Sequence, residues 1–97
     1  MDGVRVVEIR PTRKPGPLRA FVDVKVGDML VRDFRVMQDH AGRPYVRAPF
    51  NTYKNAIGEL CFRQIVDLPD EVRGQVDTAI LSAFYREKEQ HYGHQPK

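Results

Sequence analysis

Leu18 to Met37, LRAFVDVKVGDMLVRDFRVM, is the stretch whose reading decides the fold. Two alternating runs flank Gly27-Asp28. A Gly-X pair in that position predicts a two-residue type II′ hairpin loop, since glycine takes φ > 0 at little cost. That loop sets Val26 opposite Met29 and runs the pairing through Val24–Val31, Asp23–Arg32, Phe21–Phe34 and Arg19–Val36. One face then collects Leu18, Ala20, Val22, Val24, Val26, Met29, Val31 and Met37, a core face interrupted by Asp33 and Arg35. The other collects Arg19, Phe21, Lys25, Arg32 and Phe34, with Asp23 opposite Arg32. A three-residue loop would instead shift the register and send Arg32 and Phe34 to the opposite face.

On the amino-terminal side, Val4 to Arg10 is rich in β-branched residues and predicts a first strand. Pro11 to Pro17, PTRKPGP, cannot hold a ladder, because three prolines remove donors. Past the hairpin, Gln38 to Pro44 is a turn and Tyr45 to Ala48 a short strand that Pro49 ends. Phe50 to Gly58, FNTYKNAIG, has no clean period and reads as a loop, and Glu59 to Val66 reads as a fifth strand. Leu68-Pro69-Asp70-Glu71 starts a helix: proline is tolerated in the first turn and both carboxylates favour the positive end of the dipole. Val72, Val76, Ala79, Ile80, Ala83 and Phe84 then recur at helical spacing with one apolar stripe. The period fades after Lys88, so residues 91–97 are expected to be a disordered tail. The sum is one α+β domain over residues 1–90: an antiparallel sheet of about five strands with one carboxy-terminal helix. One helix covers only part of one sheet face, so the rest must meet solvent, a ligand or a second copy.

Charge is divided unevenly along the chain. Residues 1–66 hold twelve Lys/Arg against seven Asp/Glu, and residues 67–97 hold four against six. The basic character belongs to the strands and their loops, so a polyanion is expected there. Cys61 is the single cysteine, which excludes an internal disulfide and fits a reduced, cytoplasmic protein. No apolar run approaches the length of a transmembrane helix. His40, His91 and His94 have no cysteine or carboxylate arrangement that closes a metal site. Cys61 alternates with Leu60 and Phe62 and reads as a small buried hydrophobe rather than a nucleophile. Asp67, Asp70 and Glu71 are explained by the helix start, and Asp33 is expected to pair with Arg35. Neither a glycine-rich phosphate loop nor a Ser/His/Asp set is present, so no enzyme, cofactor or metal is expected.

Several strings, in order, carry a resemblance. They are Val4-Arg5-Val6, Leu18-Arg19-Ala20, Val31-Arg32-Asp33-Phe34-Arg35-Val36-Met37, Val46-Arg47-Ala48-Pro49, Gly58-Glu59-Leu60, and Arg73, Val76 and Ala79-Ile80-Leu81 of the helix. In their order and spacing over residues 4–85 the chain resembles the stage V sporulation protein G family, the septation regulators. The resemblance implies a homodimeric bacterial cytoplasmic protein that binds DNA or RNA and adjusts gene expression without catalysis.

The candidate nucleic-acid contacts follow from residue type. Arg19, Phe21, Lys25, Arg32 and Phe34 share a face that could hold phosphates on cations and bases on rings. Arg10, Arg13 and Lys14, leading into Arg19 through the proline-rich loop, could add phosphate contacts, and Arg35, Arg43, Arg47, Lys54 and Arg63 extend the basic set, with Tyr53 a further stacking ring. The bland alternative makes Phe21 and Phe34 a packed cross-strand pair and Asp23–Arg32 a surface ion pair. A second functional reading remains open, a protein-interaction module with no nucleic-acid role, favoured by the long apolar-polar segment from Phe50 to Ile57.

Overall fold

A computed structural model of the chain describes residues 3–93, with side chains to Glu87. Val4–Pro11 (β1), Leu18–Val26 (β2), Met29–Gln38 (β3) and Pro44–Arg47 (β4) form one antiparallel sheet in the order β1-β2-β3-β4. Phe50–Lys54 (β5) and Leu60–Gln64 (β6) pair only with each other, and Asp70–Gly93 (α1) closes the chain. The fold is α+β, with six strands in two sheets rather than five in one. The helix runs on to Gly93, past the expected start of the tail; residues 94–97 lie outside the described residues.

The central hairpin turns where glycine allows it. Gly27 has φ 59°, while Asp28 is not among the positive-φ residues, the dihedral signature of a II′ turn. Val26 faces Met29 and Val24 faces Val31, as the spacing predicts. Beyond that point the register departs from expectation. Val22 pairs with Phe34, so Arg32 and Asp33 together oppose Asp23. This is a β-bulge, and Asp33 occupies the left-handed region at φ 68°. Aspartate tolerates that region better than most side chains, and the Asp33 N–H donates to Asp23 Oδ1 at 3.1 Å.

One extra residue reverses the parity of the rest of β3. Phe34 and Val36 therefore enter the core, and Arg35 turns to the other face beside Phe21. A second irregularity at Arg19 lets Ala20 pair with Val36. In β1 an extra residue at Val7 keeps Val4, Val6 and Ile9 on the inner face. The expected Phe21–Phe34 and Arg19–Val36 pairs do not form.

The core comprises Ala20, Val22, Val24, Val26, Phe34, Val36 and Val46 of the sheet under Val76 and Ile80 of α1. Each fully buried side chain of this size contributes about 1.5–3 kcal/mol. Val72, Leu81 and Phe84 border it, which places the apolar stripe read from the sequence against the sheet. Asp70 and Glu71 lie in the first turn of the helix, and the Arg73 N–H donates to the Pro69 carbonyl at 2.8 Å.

The segment from Phe50 to Lys54 is a strand, not the loop its irregular composition suggests. It zips antiparallel to β6, pairing Phe50 with Gln64 and Lys54 with Leu60. Among the described residues, the ribbon's backbone packs against no other strand or helix. Its tip is closed by Asn55, whose Oδ1 accepts the N–H of Ile57 at 3.1 Å and of Glu59 at 2.9 Å. Such side-chain turns explain how a sequence without period can still reverse direction sharply.

Candidate nucleic-acid interface

Because α1 covers the inner face of the four-stranded sheet, side chains of opposite parity form an outer face. The register brings Arg10, Phe21, Arg35 and Arg47 into one row across all four strands. A second row contains Arg5, Lys25 and Leu30, and Glu8 opposes Asp23 between the two. Five cations at these positions face two acids, so the outer face is basic even though the helix-bearing part is not.

The row is held by stacking as well as by charge. The Arg35 guanidinium lies 5.4 Å from the Phe21 ring centre and 4.0 Å from that of Phe50. Arg47 lies 4.5 Å from Phe50 and 5.4 Å from Phe62. Phe50 and Phe62 meet edge to face at 5.5 Å and 67°. Rings and guanidinium groups thus alternate from the sheet onto the root of the β5–β6 ribbon, a geometry in which each cation–π contact contributes about 0.5–2 kcal/mol. Arg35 Nη1 is buried without a hydrogen-bond partner, which its position between two rings accounts for.

Asp23 anchors the middle of this face. It is 1% exposed and accepts from Arg10 Nη1 at 2.9 Å, Arg10 Nη2 at 3.1 Å and Arg32 Nη1 at 3.2 Å, besides the Asp33 N–H. The hydrogen bonds from Arg10 hold its carboxyl below the usual carboxylate range, against the opposing effect of burial; the Asp33 N–H and the charges of Arg10 and Arg32 act in the same direction. Arg10 is raised correspondingly, chiefly by its hydrogen bond to Asp23. Arg10 also reaches Glu8 at 3.0 Å and Asp33 at 2.9 Å. The bulge, the buried carboxylate and the basic row are one construction: the αL residue presents its N–H to Asp23, and Asp23 orients two arginines.

The nominated residues separate in three dimensions. Phe21, Lys25, Arg32 and Arg47 lie on or beside the outer face, and Arg19 borders it at its own bulge. Phe34 does not belong there; it is 1% exposed in the core and cannot stack on a base. Asp33 is not a core-face partner of Arg35 but an exposed bulge residue bound to Arg10. Arg13 and Lys14 are exposed in the β1–β2 loop, and Lys54 stands far along the ribbon beside Tyr53, itself 51% exposed. Cys61 is half-buried on the ribbon opposite Tyr53, with its Sγ 3.7 Å from the Glu59 carbonyl. Sequence reading names Arg10 as a loop contact and Arg35 in the wider basic set, but does not place them in one row either side of Phe21. The available signal was Asp33 itself, an acid interrupting an apolar alternation, which marks an inserted residue as readily as a buried pair.

No protein-family model, curated protein or solved structure matches this chain. Among the described residues no helix is long and apolar enough to cross a membrane.

Proposed function

We propose that the protein binds nucleic acid as a homodimeric regulator of the septation-regulator type, without catalysis. The observation that carries this is the alternating row Arg10, Phe21, Arg35, Arg47 and its continuation onto Phe50 and Phe62. A single strand laid across it meets guanidinium groups for phosphates beside aromatic rings for bases. The resemblance over residues 4–85 supports the same class of activity and a cytoplasmic location.

Dimerisation is supported by the ribbon. Tyr53, Ile57 and Leu60 are 51%, 78% and 61% exposed on a two-stranded element against which, among the described residues, no other strand or helix packs its backbone. Isolated hairpins are marginal in water, so a partner surface of the same chain is the natural cover. Static light scattering should give a dimer, and Leu60→Asp should give a monomer that keeps the fold.

Fluorescence anisotropy with single-stranded RNA and duplex DNA at two salt concentrations tests binding. A complex weakened by salt is expected; no binding at low salt with protein in the tens of micromolar overturns the reading. Co-purification of a protein partner that survives nuclease, with no bound nucleotides, would favour a protein-interaction module instead.

A further inference from the structure

Beneath the ribbon, on the helix side of the sheet, lies a cleft of about 440 Å³. Phe50, Phe62 and Ala48 form one side, Phe34 and Leu68 line it more deeply, and Asp70, Arg73 and Asp77 face it from α1. Arg47, Gln64 and Asp67 complete the polar lining. The cleft adjoins edge strand β4, where the basic row of the outer face ends.

Three features of this cleft are unspent. Phe62 is 55% exposed although its ring already has Phe50 on its edge. Among the described residues, Arg47, Arg73, Asp70 and Asp77 make no ion pair. Burial pushes the Asp77 carboxyl up, with Arg73 opposing that shift only in part. Gln64, by contrast, is committed: its amide nitrogen donates to the Val66 carbonyl and to Asp67 Oδ1, both at 2.7 Å.

We propose that this cleft receives one unstacked base of the bound strand, stacked on Phe62, and prefers bases that carry an exocyclic amino group. The proposal deepens the nucleic-acid reading and rests on it. Carboxylates accept from amino groups such as that of cytosine, whereas the carbonyl of uracil at the same position offers them nothing. The arginines match the other half of the ligand, since a nucleotide brings an anion together with its donors. A cationic side chain fits less well: the Arg47 guanidinium, 5.4 Å from the Phe62 ring centre, would repel a second positive charge there. The volume lies within the usual range for small-molecule sites.

The test compares short oligocytidylate and oligouridylate by anisotropy, with the full chain and with Phe62→Ala, Phe62→Tyr and Asp77→Asn. Cytidylate is expected to bind more tightly than uridylate. Phe62→Ala should weaken cytidylate binding about fivefold or more, the lower end for losing one base stack. Phe62→Tyr should keep that affinity, and Asp77→Asn should shrink the preference for cytidylate; the two Phe62 variants are checked for an unchanged melting temperature, and Asp77→Asn for a fold at least as stable as the wild type. Equal binding of both oligonucleotides, indifferent to Phe62, overturns the cleft while leaving the nucleic-acid reading intact. Failure of every oligonucleotide to bind at low salt overturns both. If amide resonances around Phe62 and Asp77 shift with N-acetyl-argininamide and not with cytidine monophosphate, the cleft takes a basic peptide side chain and the proposal is wrong.

Discussion

Asp23 is the residue on which most of the outer face depends. Its carboxylate is buried and bound by two arginines, and removing a partner strands the charge. Arg10→Ala should therefore destabilise the protein by about 2 kcal/mol in urea denaturation, below the full cost for a buried pair because the Arg10 side chain is 38% exposed and screened. The pH dependence follows from the lowered carboxyl. Its contribution is complete above the unfolded-state value near 4 and is lost as pH falls through the folded value. Acid unfolding of the wild type should steepen below about pH 4, and Asp23→Asn should be less stable at neutral pH yet show a flatter acid limb. Asp77 carries the opposite sign: its carboxyl is raised, so its contribution is full at low pH and is lost as pH rises through the folded value. Asp77→Asn should accordingly raise the melting temperature at neutral pH and leave it unchanged in acid. The two phenylalanines of the hairpin make a second contrast at this scale. Phe34→Ala should cost about 3–5 kcal/mol as a core cavity, while Phe21→Ala should cost less and show its effect in nucleic-acid affinity.

At the scale of elements, the bulge in β3 decides which side chains share a face. Its αL residue is Asp33, and a β-branched side chain there would meet its own carbonyl oxygen. Asp33→Val should destabilise by about 1–2 kcal/mol, whereas Asp33→Gly should be tolerated, as chemical denaturation of the two variants can establish. The hairpin turn was legible from Gly27-Asp28 and the helix from its apolar stripe, because both are local: one needs a glycine dihedral, the other a spacing. The bulge left only an ambiguous mark, Asp33 within an apolar alternation, because a strand with an inserted residue has the same composition as one without. Glu59 to Val66 reads as the strand that β6 is, but its partner Phe50 to Lys54 does not, for a related reason. The ribbon's strands are stabilised by pairing with each other and by arginines stacked on Phe50, neither of which leaves an alternating pattern in FNTYKNAIG.

For the molecule as a whole, the division of labour is between two sides of one sheet. The helix side supplies the hydrophobic core, and the outer side carries the cations that the amino-terminal two-thirds of the chain holds in excess. The ribbon extends from the end of this sheet, joins the basic row through Phe50 and exposes its apolar residues further out. The proposed nucleic-acid contacts and the proposed self-association fall in adjoining regions, and variants in one should leave the other largely unchanged. Leu60→Asp should abolish the dimer while a monomer retains weak, salt-sensitive binding, measured by light scattering and anisotropy on the same sample.

The sequence by itself determined the α+β class, the hairpin turn, the helix with its buried stripe and the location of the basic residues along the chain. These follow from dihedral preference, periodicity and charge, which a residue carries with it. Only the tertiary structure decided that Phe34 is core and Arg35 is not, that Asp23 is the buried hub of two arginines, and that Phe50 to Lys54 is half of a ribbon. Each of those depends on parity after an inserted residue or on a partner distant in sequence. A one-residue insertion moves every later side chain to the other face, and its one local mark, the acid at Asp33, reads equally well as half of a buried pair.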